Sequence, residues 1–279
     1  MFFWIYDLPT PTLALLFAAL FVGITWAGII FISPILKFWV KRQEGINDIV
    51  GYALGAFGVF YGLLLGLLAV SSYENSSELE GIVSSEAAAL AGLWRDVDNY
   101  PEPTRTSLQD RLRTYSENII DGEWPAQRKG KMDTKGVQLA TQFQRELCQF
   151  KPADVSEQIL HAETMRAFNH MVEFRSKRIQ NTNSGIPGVM WWVVMVGACI
   201  NTLIIMFFRV RFDIHLVIGG LLSLVVGSLI FLVAALDYPF RGEVSIGPDR
   251  IRVIYDALMK KSPEAAAIPA VPEPVPAKP

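Results

Sequence analysis

The sequence predicts an all-α membrane protein: four transmembrane helices, with a helical soluble domain inserted between the second and the third. Three observations carry this expectation. Only 19% of the 279 residues are charged and 51% are hydrophobic, whereas soluble domains carry about a quarter charged residues. The deficit is local, since no Asp, Glu, Lys or Arg occurs in 8–36, 49–73, 179–208 or 214–236. Each run exceeds the roughly 20 residues that cross a bilayer core. Residues 74–180 instead carry 14 Lys and Arg against 17 Asp and Glu, in helical patterns with no β-run between turn signals. A soluble single-core protein is thereby excluded. So is a disulfide scaffold, because the two cysteines, Cys148 and Cys199, sit in different settings. The net charge of −2 argues against a nucleic-acid partner.

The first segment, 1–73, holds spans one and two. Span one is expected at about 11–31, after Pro9 and Pro11, with Phe2, Phe3, Trp4 and Tyr6 ahead of it as headgroup-layer aromatics. No base precedes Lys37, and the apolar core is too long for a cleaved signal. Ser33-Pro34 is expected to kink its end. Span two is expected at about 49–72. Its glycines, Gly51, Gly55, Gly58, Gly62 and Gly66, fall on one stripe, a repeated small-xxx-small pattern that lets helix backbones approach closely in lipid. The opposite face carries Phe57, Phe60 and Leu64. These side chains either face lipid or form an apolar constriction around a pore axis.

The soluble domain is expected over 74–186. Its helical stripes are Leu79, Val83, Leu90, Trp94 and Val97; then, after Pro101 and Pro103, Leu108, Leu112, Tyr115 and Ile119; then Val137, Ala140, Gln144 and Leu147; then Ile159, Phe168, Met171 and Val172. Span two lacks a breaker at its end and runs on towards the first of these. Asp154-Val-Ser-Glu157 offers a capping box, and Asn181 to Gly185 ends the last helix. Span three is expected at 187–208, opened by Pro187, with Asn201 and Thr202 as interhelical hydrogen-bond partners. Span four, 214–236, repeats the small-residue spacing at Gly219, Ser223 and Gly227. Beyond it, 237–261 should hold a short extended piece at Val244–Ile246 and a helix from Pro248 to Lys261. The Pro- and Ala-rich residues 262–279 read as a solvated tail.

Enzymatic signals are poor, and no enzyme is expected. No Walker loop, dinucleotide fingerprint or nucleophile elbow is present. Glu157, His161 and Glu163 share a stretch of helix but do not supply a zinc set, so no metal or other cofactor is expected. Glu123-Trp124-Pro125 reads as a helix end sealed by an aromatic. Asp237, ionisable and close to the end of span four, is a functional candidate or a turn residue. The loops between spans one and two and between three and four hold Lys37, Lys41, Arg42, Arg209 and Arg211, against six bases flanking spans three and four on the other side. Charge alone does not orient the chain. Four spans do place both termini and the helical domain on one side.

Several stretches resemble the bestrophin-like group of bacterial membrane proteins, in order from about residue 45 to 260. They are Gly58-Val-Phe-Tyr-Gly62, Ser85 to Leu90 with Leu93-Trp94-Arg95, Tyr115 to Pro125, and Leu236-Asp237-Tyr-Pro-Phe-Arg-Gly242. Of the last, Asp237, Pro239, Phe240 and Gly242 are the most specific part. The resemblance implies a homopentameric anion channel in a bacterial inner membrane, with span two lining the pore and the helical domain and termini cytoplasmic. In bestrophins proper the Pro-Phe stretch leads into an acidic calcium clasp. Here Arg241-Gly242-Glu243 follows instead, and calcium gating is not carried over. The expected partners are the lipid bilayer, further copies of the chain and anions. The alternative reading is a membrane-anchored helical sensor or interaction module without transport activity.

Overall fold

The computed structural model describes residue 6 and residues 8–39 and 44–260. The aromatic lead Phe2-Phe3-Trp4, the bases Lys41 and Arg42, Lys261 and the tail 262–279 lie outside the described residues. In chain order the helices are α1 (Thr10–Ala27), α2 (Ser33–Trp39), α3 (Ile46–Val97), α4 (Thr104–Asn118), α5 (Trp124–Arg128), α6 (Lys135–Leu147), α7 (Val155–Gln180), α8 (Gly188–Met206), α9 (Phe212–Leu236) and α10 (Asp249–Ile254), and no strand occurs among the described residues. Four helical stretches are long and apolar enough to cross a membrane: Thr10–Trp39, Ile46–Val97, Gly188–Met206 and Phe212–Leu236.

The first of these is longer than the sequence pattern implies. Instead of ending near residue 31, α1 passes into α2 through a π turn, Gly28–Ile32, closed by the Ser33 N–H on Gly28 O. The cause is Pro34. It has no N–H for the carbonyl of residue 30 and its ring crowds that turn, so the preceding turn widens rather than the helix ending. The second stretch runs on without a break beyond its charge-free part, so Ile46–Val97 is one 52-residue element.

The chain forms two compact units. One comprises 1–82, 126–132 and 176–247; the other comprises 83–125, 133–175 and 248–279. In the first, Tyr61, Leu65 and Leu68 of α3 pack with Val194 and Ala198 of α8, Phe21 of α1 and Ile230 and Val233 of α9. The helices are also tied by polar side chains within these four stretches. Tyr61 donates to Val194 O (2.8 Å), Ser33 to Met206 O (2.7 Å) and the Trp26 indole to Leu216 O (3.0 Å). The His215 ring bonds Ile205 O at 2.9 Å. Thr202, expected to bond a neighbouring helix, instead donates to Ala198 O in its own helix (2.9 Å), the back-bond a hydroxyl makes to the i−4 carbonyl.

In the second unit, Leu108, Leu112, Tyr115 and Ile119 are buried as their spacing predicts, as are Leu90 and Val97. Two stripes match expectation in part, with Ala140 and Leu147 of the one and Phe168 and Met171 of the other buried. On α6 the buried face is Gly136, Ala140, Phe143 and Leu147, while Val137 and Gln144 are exposed. Phe143 takes the inward position because its ring stacks on Phe168 of α7 (5.4 Å). On α7 the inward residues are Thr164, Phe168, Met171 and Arg175, and Ile159 is 62% exposed. The start of α7 is capped in both directions, Asp154 accepting the Glu157 N–H (2.8 Å) and Glu157 the Ala153 N–H (2.7 Å). The C-terminal helix is shorter than expected, α10 passing into a π turn, Tyr255–Met259. Arg113 donates to Met259 O (2.7 Å) and Tyr255 to Glu117 (2.6 Å), which pushes the Tyr255 phenol up to about 12.

Candidate functional site

The glycines of the two small-residue stripes have opposite surroundings. On α9, a Cβ at Gly219 would meet Ile29 (2.7 Å) and Thr25 (3.4 Å), and one at Gly227 would meet Phe17 O and the Phe21 Cβ (each 3.2 Å). Between them Ser223 is buried and donates to Thr25 Oγ1 at 2.6 Å. Residues 17, 21, 25 and 29 are themselves four apart. One i+4 ridge of the α1 stretch thus lies in the groove left by Gly219, Ser223 and Gly227, the close approach that small residues permit in lipid.

On α3, a Cβ at Gly51, Gly55, Gly58, Gly62 or Gly66 would meet nothing within 4 Å. The stripe stands open along the length of the span. The opposite face is divided. Phe57 and Leu64 pack against their own chain's core, Phe57 stacking on the Tyr61 ring at 5.5 Å. Phe60 is 74% exposed. The three pore-neck candidates therefore do not share one environment, and Phe60 alone of them projects away from the chain. Sequence reasoning missed Tyr61, whose ring occupies the notch left by Gly197 of α8 and clashes with any Cβ there. A tyrosine among glycines in a charge-free run was the available signal.

Past α9, the motif residues close the end of the membrane-crossing unit. Asp237 is 2% exposed. Its carboxylate accepts the Ile186 N–H (2.5 Å) and the Trp191 indole N–H (3.1 Å), and the Tyr6 hydroxyl also bonds it. Burial raises the carboxyl above its ordinary range, and those three donors pull it part of the way back. The Tyr6 phenol is pushed up by burial and by the Asp237 charge, and its ring meets Tyr238 edge-on at 5.3 Å. Asp237 thus holds the entry to α8 and the approach to α1 against the end of α9. Phe240 is fully buried and Pro239 O accepts the Ile246 N–H (2.8 Å). Gly242 has φ +86°, a left-handed turn that suits glycine. That turn replaces the extended piece expected at Val244–Ile246, and Ser245 closes it by donating to Gly242 O (2.7 Å). Glu243 then accepts the Thr10 N–H at 2.7 Å.

Glu123, read from sequence as part of a sealed helix end, is 2% exposed and paired with Arg175, whose Nη2 lies 2.6 Å from Oε1. Gly136 leaves the room, since a Cβ there would collide with the Glu123 carboxylate. His161 bonds the Tyr100 hydroxyl through Nδ1 at 2.9 Å, not a metal set. Among the described residues no group of three or more His, Cys, Asp or Glu could hold a metal ion.

Residues 13–251 match the bestrophin-like domain family, across both units and through the Asp237–Gly242 motif. The chain belongs to the bestrophin-like family. Solved structures share the fold. A bestrophin homologue from Klebsiella pneumoniae, phased on zinc, is 14% identical with TM-score 0.59 over 88% of this chain and 96% of that one. A variant of a K. pneumoniae homologue is 13% identical with TM-score 0.61 over 88% and 99%. A third structure, described as a membrane protein, is 12% identical with TM-score 0.64 over 88% and 96%. No curated protein matches the sequence. At the family level the bestrophin-like chain is a channel-like membrane protein.

Proposed function

We propose that this chain is one subunit of a homo-oligomeric anion channel, with α3 of each copy facing a central pore. The observation that supports it is the open glycine stripe. A Cβ added at any of five glycines spaced for close helix approach would meet nothing within 4 Å, and in lipid a glycine groove gains by packing against another helix. A second copy filling that groove leaves Phe60, about a quarter of a turn from Tyr61 and nearly opposite Gly62, to border an axis. Rings of apolar side chains there would gate by dewetting, and the neck rests chiefly on Phe60, with Phe57 and Leu64 behind it. The family resemblance favours five subunits, anion conduction, a bacterial inner membrane and cytoplasmic placement of the helical domain and termini. A channel subunit needs no catalytic residues.

Halide flux into liposomes tests the reading. Wild-type protein is expected to conduct. Phe60→Ala should raise basal flux with the oligomer intact, and Gly62→Leu should shrink the particle. Background flux from wild-type and Phe60→Ala alike, while a general permeabiliser still gives signal, would support the sensor module instead. Unchanged particle size in Gly62→Leu would mean that the stripe faces lipid. Alkaline phosphatase fused after Lys261 should be inactive in a bacterial host if that end is cytoplasmic.

A further inference from the structure

Within the second unit, α4 and α6 pack side by side, and part of the space between them is left unfilled. Arg111 of α4 donates through Nε to Glu146 of α6 and through Nη1 to Gln142 (3.5 Å). Earlier on the same face of α4 stand Ser107 and Thr104, whose short side chains do not bridge to α6. The result is an open cleft of about 590 Å³, a size that suits a small molecule. Its apolar wall is Pro103 and the half-buried Phe150, whose ring is held against Tyr100 (4.8 Å) and His161 (5.6 Å).

The charges around the cleft do not cancel. Glu146 is the one acid in its lining, and Arg111 already neutralises it. Glu102 and Asp110, the acids flanking this part of α4, pair with Arg105 and Arg113. Arg145 also lines the cleft, and its guanidinium has no hydrogen-bond or ion-pair partner among the described residues. The same holds for the side chains of Gln149, Thr104 and Ser107. A solvated helix face explains an exposed arginine. It does not explain unused hydroxyls and an amide gathered with it around a fixed aromatic ring, the pairing of an apolar surface with orienting polar groups that marks small-molecule sites.

We propose that this cleft binds a small organic carboxylate carrying a flat ring. The Arg145 guanidinium and the unused Nη2 of Arg111 hold the carboxylate, since a guanidinium matches its two oxygens. The ring lies against Phe150 and Pro103, and Gln149, Thr104 and Ser107 bond its polar substituents. One carboxylate balances the one uncompensated charge, which a phosphate dianion would exceed. The proposal lies wholly in the second unit and is independent of any pore.

Calorimetric titration of the full chain in detergent tests it. The probes are nicotinate and benzoate, their uncharged amides nicotinamide and benzamide, and the ring-free anions acetate and inorganic phosphate. At least one ring acid is expected to saturate a single site, with its amide and both ring-free anions weaker by about tenfold or more, the scale of a lost hydrogen bond to a charged group. Arg145→Gln should weaken that acid by a similar factor. Ser107→Met, which fills the cleft without touching a charge, should do the same with the melting temperature unchanged. Arg166→Gln, in an exposed pair with Glu163 on α7, should bind as wild type. Saturable binding by neither acid would overturn the proposal. So would an amide that binds as well as its acid, or full-strength binding in Arg145→Gln or in Ser107→Met. Acetate or phosphate binding as tightly as the ring acids would mean a bare anion site and would overturn it as well.

Discussion

Glu243 accepts the backbone N–H of Thr10 at 2.7 Å across 233 residues of sequence, so the first membrane helix is capped from beyond the end of the fourth. The first turn of a helix leaves N–H groups without intrahelical partners. At α1, where Pro9 is the cap residue and provides no side-chain bond, one of them is met by this distant carboxylate. The favourable sign of the helix dipole for a negative charge adds to the bond.

The Thr10 bonds hold the Glu243 carboxyl below its ordinary value, and this gives a pH dependence. A carboxyl whose folded pKa is depressed stabilises the fold above the unfolded value, about 4.3 for Glu, and loses that contribution as pH falls through the folded value. Glu243→Gln should therefore melt lower than wild type at neutral pH. The two melting curves should converge as the pH falls below about 4. A gap that persists at acid pH would mean that the effect is not the charge.

Asp237 accepts from Ile186, Trp191 and Tyr6 within a buried pocket. Asp237→Ala leaves those donors without an acceptor, and each buried donor so orphaned costs about 1–3 kcal/mol. The expected result is a lower melting temperature in detergent and a red-shifted Trp191 fluorescence as the indole loses its anchor. Asp237→Asn, which keeps one acceptor oxygen, should fall between.

Gly197 and Gly62 give a paired comparison. A Cβ at Gly197 runs into the Tyr61 ring, whereas one at Gly62 meets nothing. Gly197→Ala should force that ring to move, strain its bond to Val194 O (2.8 Å) and destabilise the fold by about 1–3 kcal/mol, the usual cost of overpacking. Gly62→Ala should leave the melting of the isolated chain unchanged, so that any effect it has reports on assembly. Equal destabilisation by both would place an intrachain neighbour at Gly62.

That contrast also marks where sequence reading stops. Charge-free runs are visible residue by residue, so the four membrane-crossing stretches were legible, as were the buried stripe of α4 and the capping residues Asp154 and Glu157. The glycine stripes of α3 and α9 look alike in sequence. Periodicity says which residues share a face, but not what stands opposite. On α9 the i+4 ridge Phe17, Phe21, Thr25 and Ile29 fills the groove, while on α3 the groove is open. The same limit divided Phe57 and Leu64 from Phe60. On α6 the expected face is turned by about half a residue step, Val137 being apolar without being inward, and on α7 Ile159 lies off the face that Phe168 and Met171 mark correctly. Partners such as Thr10 and Glu243, or Gln127 and Arg178 (2.7 Å), join segments that no local pattern links.

Glu123 and Arg175 form an ion pair within the second unit. The pair is almost fully buried, Arg175 donating from both Nε (3.2 Å) and Nη2 (2.6 Å) to one carboxylate oxygen, with Gly136 providing the space. Breaking a buried pair by removing one partner strands the other charge and costs about 3–5 kcal/mol, whereas replacing both by apolar groups of similar volume is often nearly neutral. Glu123→Gln and Arg175→Met should each destabilise strongly, and the double variant should cost less than the sum of the two. Gly136→Ala should behave like a single break, since its methyl group would displace the carboxylate from the guanidinium without altering either charge. Chemical denaturation of the four variants in detergent measures all of this at once. Additive losses in the double variant would mean that the two side chains stabilise the unit through separate neighbours rather than through each other.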